Sequence, residues 1–184
     1  IKELEASGVD IIEVGMPFSD PVADGPTIQV SNLKALQNGM SIKKLFEQLK
    51  VIKNEVTVPI LLMGYINPIW KYGMENFMSS CEECGISGLI LPDIPLDEYL
   101  TDFQPLYEKY HLSNVFLITP QTSDERIKAY DAASNGFIYM VSSASTTGAD
   151  KTVDEEKQVA YFNRVKNLNL NSPTQIGFNI KDKV

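Results

Sequence analysis

The sequence predicts an α/β fold built on a parallel sheet, and two observations carry that expectation. Six short apolar runs rich in β-branched residues recur along the chain, at 9–14, 58–64, 88–93, 114–119, 136–142 and 174–179. Amphipathic stretches separate them, at about 27–55, 71–84, 97–111, 123–133 and 151–168. The runs are nearly continuous in apolar residues, as strands covered on both faces must be. Strand–helix alternation then implies parallel neighbours joined by right-handed crossovers. Six such units suit either an open doubly wound sheet or most of a (β/α)8 barrel.

Taken in order, each element has a local reason. IKELEASG reads as a helix stopped by Gly8, and VDIIEV as the first strand, interrupted by one acid, Glu13. MPFSDPVADGP follows, a loop whose prolines and glycine restrict its backbone. Between 27 and 55, Leu33, Leu36, Leu45, Phe46, Leu49 and Ile52 recur at helical spacing. VPILLMG and GLILPD are the next strands, with the intervening helix closed by Gly85. The stretch 97–111 ends at His111, where an imidazole suits the helix dipole, and NVFLIT follows as a strand. Ser123-Asp124-Glu125 supplies a cap and first-turn acids to the next helix. GFIYMVS, the acids from Asp150 to Glu155 and TQIGFN complete the alternation.

Two absences narrow the fold. No G-x-G-x-x-G follows the first strand, which disfavours a dinucleotide-binding sheet. A complete barrel typically needs about 250 residues, and this chain has 184, opening inside a helix and stopping just after a strand. The expectation is a single domain, residues 1–184, that is an incomplete barrel.

Charge and cysteines exclude several function classes. Sixteen basic against 24 acidic residues give a net charge of −8 with no basic block, which argues against nucleic acid or an anionic membrane as partner. A small anion is still admissible, because backbone N–H groups at helix starts bind phosphate without net basic charge. No apolar run approaches the roughly 20 residues of a membrane span, and no basic-then-apolar signal opens the chain, so a cytoplasmic protein is expected. Cys81 and Cys84 form C-x-x-C, but zinc takes about four ligands and His111 is the sole histidine. Their place before a helix-ending glycine predicts a structural role and no metal site.

The acids at the end of the first strand invite a chemical reading. Active sites of parallel α/β folds sit at the carboxyl ends of the strands. A carboxylate facing a barrel interior is desolvated, which raises its pKa toward neutrality and suits it to proton transfer. Glu13 fits that description, with an outward-facing or capped structural acid as the equal alternative. Asp24, on the stiff loop beyond, supplies a second carboxylate, and paired acids divide roles by environment. Its bland alternative is a turn, Asp24-Gly25-Pro26, that only introduces the next helix.

EVGMPFSDPVADGPTIQ closely resembles the signature of the tryptophan synthase alpha subunit family, E-[apolar]-G-x-P-F-S-D-P-x-A-D-G-P. LLMGYINPIWKYG, LILPDIPLDE, YMVSSASTTGAD and QIGFNI resemble further segments of that family in the same order, so the likeness runs along essentially the whole chain. The resemblance implies a TIM barrel and a lyase that cleaves indole-3-glycerol phosphate to indole and glyceraldehyde 3-phosphate without metal or organic cofactor. Pyridoxal phosphate would belong to the beta subunit, the partner that receives the indole in an alpha2-beta2 assembly. On that likeness Glu13 is the acid/base group and Asp24 stabilises charge at the indole N–H. Tyr139, Thr147, Gly148 and Gly177 fall on substrate-binding positions. Asp20 and Pro21 fall on the loop that faces the beta subunit, and Tyr65 and Asn67 on its neighbouring rim. Phe18, Leu62 and Leu89 are candidates for the apolar pocket wall, with plain packing the equal alternative.

The match departs from the family in three places. Asn179 stands where many relatives have a second glycine of the phosphate loop, and Ser143 and Ser145 replace an arginine and a glycine of the lid. The first and eighth strands of the barrel are not represented. The expectation is therefore a fragment with its catalytic acids present, incomplete phosphate binding and weak cleavage on its own. The rival readings are another phosphate-binding barrel enzyme, a non-catalytic subunit that activates a partner, and a small open-sheet binding protein.

Overall fold

The computed structural model describes residues 1–141 and 155–177. β1 (Ile12–Gly15), β2 (Ile60–Met63), β3 (Gly88–Ile90) and β4 (Ser113–Asn114) lie side by side in that order, and β5 (Phe116–Ile118), β6 (Ile138–Val141) and β7 (Thr174–Gly177) form a second sheet, again in chain order. Every pairing is parallel. A doubly wound sheet reverses its order at a switch point, whereas unbroken sequential order is the progression of a barrel wall. The fold is an incomplete (β/α)8 barrel, with β1 and β7 as its edges among the described residues.

One predicted strand divides. The run 114–119 becomes β4, which pairs with β3, and β5, which pairs with β6. Between them the Val115 N–H still donates to the Leu89 carbonyl at 3.0 Å. The segment thus occupies one position in the wall and changes neighbour partway along. Continuous apolar composition carries no sign of such a switch.

The helices differ from the sequence expectation at three junctions. The stretch 27–55 is two helices, α2 (Pro26–Gln37) and α3 (Ile42–Ile52), after the short α1 (Lys2–Ala6). Gly39 breaks it with a φ of 77°, a conformation that favours glycine, and Ser41 caps α3 by accepting from the Lys44 N–H. Next, α4 (Ile66–Tyr72) fills most of the interval left unassigned between the run 58–64 and the stretch 71–84, and precedes α5 (Met74–Cys84). Pro68 is tolerated there because the first turn has no intrahelical partner for its missing N–H. Finally, 97–111 contains α6 (Leu96–Glu98), a π turn at Tyr99–Phe103 and α7 (Gln104–Lys109). Pro105 cannot donate to the Thr101 carbonyl, and the wider π turn sits just before it. The remaining helices are α8 (Asp124–Ala133) and α9 (Glu155–Asn167).

Strand alternation sorts the apolar side chains into two cores. Leu62, Leu89, Ile118, Ile138 and Met140 face the helix layer, where they pack with Phe46, Phe77 and Tyr107. Cys81 and Cys84 are buried in that layer as free thiols, and the Cys84 thiol donates to the Phe46 carbonyl. On the opposite face Leu61, Ile90, Val115, Phe137 and Tyr139 form a smaller inner cluster, with Met63 and Leu117 against it. Among the described residues no cluster of His, Cys, Asp and Glu is arranged to hold a metal, and no helix is long and apolar enough to cross a membrane.

Candidate active site

Glu13 lies on the inner face. It is the register partner of Leu61, and partners in a parallel pair project to the same side. The Tyr139 hydroxyl, from the second sheet, hydrogen-bonds to its carboxylate. Burial beside the inner cluster pushes the Glu13 carboxyl above its ordinary pKa, and the Tyr139 hydrogen bond holds part of that rise back. The Glu13 side chain is only partly desolvated, since the residue as a whole is exposed. Burial, with the Glu13 charge adding to it, pushes the Tyr139 phenol up to about 12, so it stays a donor at neutral pH.

Gly177 closes the far side of Tyr139. It ends β7 opposite Val141, and a Cβ built on it would overlap the Tyr139 ring and hydroxyl. Here the absence of a side chain provides space for a neighbour, on a backbone that needs no unusual torsion. The resemblance that placed Gly177 among substrate-binding positions gave no hint of this contact.

Asp24 is held by a second tyrosine. The Tyr65 hydroxyl donates to the Asp24 carboxylate at 3.2 Å and accepts the Ala23 N–H at 3.0 Å. Burial raises the Asp24 pKa, and the Tyr65 hydrogen bond opposes it. Burial likewise pushes the Tyr65 phenol up to about 12, with the Asp24 charge contributing. The turn Asp24-Gly25-Pro26 does introduce the next helix: Gly25 is the N-cap of α2 with Pro26 at its first position, and no side chain caps that end. Asp24 contributes only its backbone carbonyl to the helix, accepting from the Gln29 amide at 3.0 Å.

The loop between β1 and α2 is stapled along its length. Met16 N–H donates to Met63 carbonyl at 2.8 Å, Phe18 N–H to the Asn32 side chain at 3.2 Å, and Asp24 N–H to Pro21 carbonyl at 3.0 Å. Asp20 is exposed while Pro21 is buried. Phe18 packs on Tyr65 with ring centroids 5.2 Å apart. Both rings, with Asp20, Asn67 and Asp93, line a cavity of about 320 Å³ at the strand ends.

The structure thus links Glu13 to Tyr139, against which Gly177 packs, and Asp24 to Tyr65, which lines the strand-end cavity with Asp20 and Asn67. Leu62 and Leu89 do not reach this space, because their register turns them to the helices; Leu61, Ile90 and Leu117 occupy the inner face instead. Thr147, Gly148, Ser143, Ser145 and Asn179 lie outside the described residues. The hold of Tyr65 on Asp24 is a contact that local pattern could not reveal, since the two residues are 41 positions apart in the chain.

Comparisons with known proteins agree with this fold. A family model described as tryptophan synthase alpha chain matches residues 1–184. The tryptophan synthase alpha chain of Christiangramia forsetii is 60% identical over 182 residues, covering 99% of this chain and 71% of that protein. That of Flavobacterium psychrophilum is 57% identical over 183 residues, covering 100% of this chain and 72% of the relative. Among solved structures, a mutant tryptophan synthase alpha-subunit from Pyrococcus furiosus superposes with a TM-score of 0.83 at 32% identity, over 95% of this chain and 69% of that one. Mycobacterium tuberculosis tryptophan synthase gives 0.83 at 33%, over 98% of this chain and 67% of that one. A sequential parallel wall, two strand-end carboxylates each held by a tyrosine, and identity above one half along the full chain lead to one assignment: this chain belongs to the tryptophan synthase alpha chain family.

Proposed function

We propose that the protein is a lyase that cleaves indole-3-glycerol phosphate to indole and glyceraldehyde 3-phosphate. The observation that carries this reading is the pairing of Glu13 with Tyr139 on the inner face of the wall. Cleavage requires a proton at indole carbon 3 and removal of one from the glycerol hydroxyl as the carbon–carbon bond breaks. Glu13, a partly desolvated carboxyl with an elevated pKa, is suited to carry both transfers. Protonation of carbon 3 spreads positive charge to the ring nitrogen, and Asp24 accepts the hydrogen bond from that N–H. Neither step calls for a metal or an organic cofactor.

Tyr139 orients Glu13 and walls the pocket, and Gly177 leaves room for it beside the phosphate end. Thr147 and Gly148 are assigned to the closing lid by resemblance. Asp20, Pro21 and Asn67 form the face toward a beta subunit in an alpha2-beta2 assembly; the exposed Asp20 and Asn67 beside one strand-end cavity support that assignment. Residues 1–184 act as a single partial barrel. Because β1 and β7 are unpaired edges among the described residues, cleavage by this segment alone is expected to be weak.

The test is Glu13→Gln and Asp24→Asn in the full-length enzyme, with indole release measured by single-turnover kinetics. Loss of cleavage in both, with the activation of a beta subunit retained, supports the assignment. Wild-type cleavage in Glu13→Gln would sink it.

A further inference from the structure

Three helices in this fold show how their N-termini are satisfied, and one is handled differently from the others. In α3 and α8 the N-cap is a serine whose hydroxyl accepts from the third helical N–H, Ser41 from Lys44 and Ser123 from Arg126. In α4 the N-cap is Tyr65, and its side chain does not cap. The phenol is turned away to Asp24 and the Ala23 N–H. The capping acceptor comes from another part of the chain: both carboxylate oxygens of Asp93, on the loop after β3, accept the Ile66 N–H at 3.1 and 3.0 Å.

This exchange joins three consecutive strand-end loops. Asp93 fixes the peptide that follows Tyr65, Tyr65 crosses to the β1 loop, and its hydroxyl holds Asp24. A serine at position 65 would cap α4 unaided and leave Asp24 without its donor. An aspartate at 93 lets the N-cap position carry the tyrosine that Asp24 needs.

We infer that Asp93 is a positioning residue for the reaction: by capping α4 at Ile66 it sets the reach of the Tyr65 hydroxyl, and through Tyr65 it orients the Asp24 carboxylate. The inference rests on the role given to Asp24 above. It differs from a purely structural cap, which would stabilise α4 without reporting to Asp24. The ionisable groups gathered here are Tyr65 on the β2 loop, Asp93 on the β3 loop and Asp20 on the β1 loop, all lining the same cavity.

Asp93→Ala and Asp93→Asn separate the effects, since both remove the charge and only D93A removes the acceptor. In the full-length enzyme D93A is expected to lower kcat about tenfold with KM changed less than about threefold, the pattern of a lost transition-state contact. D93N is expected to stay within about threefold of wild type. In a Tyr65→Phe background, D93A should cost less than about a further twofold, because the two residues act as one unit. A carboxyl-carbon NMR titration of Asp24 should move to higher pH in D93A than in D93N, and that difference should vanish with Y65F. Independent, multiplying effects of D93A and Y65F, or an Asp24 titration identical in D93A and D93N, would reduce Asp93 to a helix cap and overturn the inference. Wild-type cleavage by Asp24→Asn would instead remove the catalytic role of Asp24, and the NMR comparison would still decide whether Asp93 positions it.

Discussion

The Cβ that Gly177 lacks would overlap the hydroxyl and the adjoining ring edge of Tyr139, the residue whose hydroxyl hydrogen-bonds to Glu13. An edge-strand backbone and an inner-face aromatic are therefore packed to the limit set by glycine. Gly177→Ala has to move the tyrosine or bend β7, an overpacking that costs about 1–3 kcal/mol. The expected outcome is a fall in cleavage larger than the fall in stability, measured as kcat/KM beside a thermal melt. A crystal structure of the variant should show Tyr139 displaced from Glu13.

Tyr139→Phe removes the hydrogen bond that holds the Glu13 pKa down and leaves the burial that raises it. The Glu13 pKa must then climb further. In the direction where Glu13 acts as base, the acidic limb of the kcat–pH profile moves to higher pH. An unchanged limb, with kcat merely scaled down, would show that Tyr139 serves the pocket by shape alone.

Glu13→Gln should abolish cleavage, by at least about 10²–10⁴-fold for a lost acid/base group, and should stabilise the fold at neutral pH. The sign follows from linkage. A carboxyl whose folded pKa is raised contributes most stability when protonated, and that contribution is lost as pH rises through the folded value. The melting temperature of E13Q should therefore exceed that of wild type at pH 7, with the gap closing below about pH 4, where the unfolded carboxyl also protonates. Equal melting temperatures across that window would mean that Glu13 is not desolvated.

Asp131 offers the opposite case, at the other end of the barrel. Burial alone would raise its pKa, but the N–H groups of Asn171 and Ser172 hold it below the ordinary value. Those donors sit at 2.9 and 2.8 Å, just ahead of β7, and the Asn171 side chain adds a third at 3.3 Å. A depressed carboxyl stabilises above its unfolded pKa and loses that contribution as pH falls through the folded one. Asp131→Ala should cost about 1.5–3 kcal/mol at pH 7, the range of a charge-assisted hydrogen bond. Chemical denaturation at pH 7 and pH 3 checks it: the penalty should shrink at the lower pH, and the intrinsic rate of cleavage in the folded fraction should not change.

The barrel class was legible because it is written locally, in apolar runs at regular intervals; Glu13 and Asp24 could be singled out as candidates because they fall within one short signature. What was not legible depends on register. In nearly continuous apolar strands nothing marks which face turns inward, so Leu62 and Leu89 stood as pocket candidates although Leu61 and Ile90 hold the inner positions. The helix from Ile66 to Tyr72 was hidden by Pro68, which reads as a loop residue until its first-turn place is known. The hold of Tyr65 on Asp24, and of Asp93 on Ile66, joins loops that only the closed curve of the wall brings together.

The division of one wall position between β4 and β5 has a further consequence. Glu13 belongs to the first sheet and Tyr139 to the second, so their hydrogen bond spans the seam at Val115. Warming that loosens the seam by a fraction of a bond length would separate the two groups while each sheet kept its own ladder. Such an enzyme should show thermal inactivation ahead of melting, its activity fading at temperatures where its circular dichroism is still that of the native state.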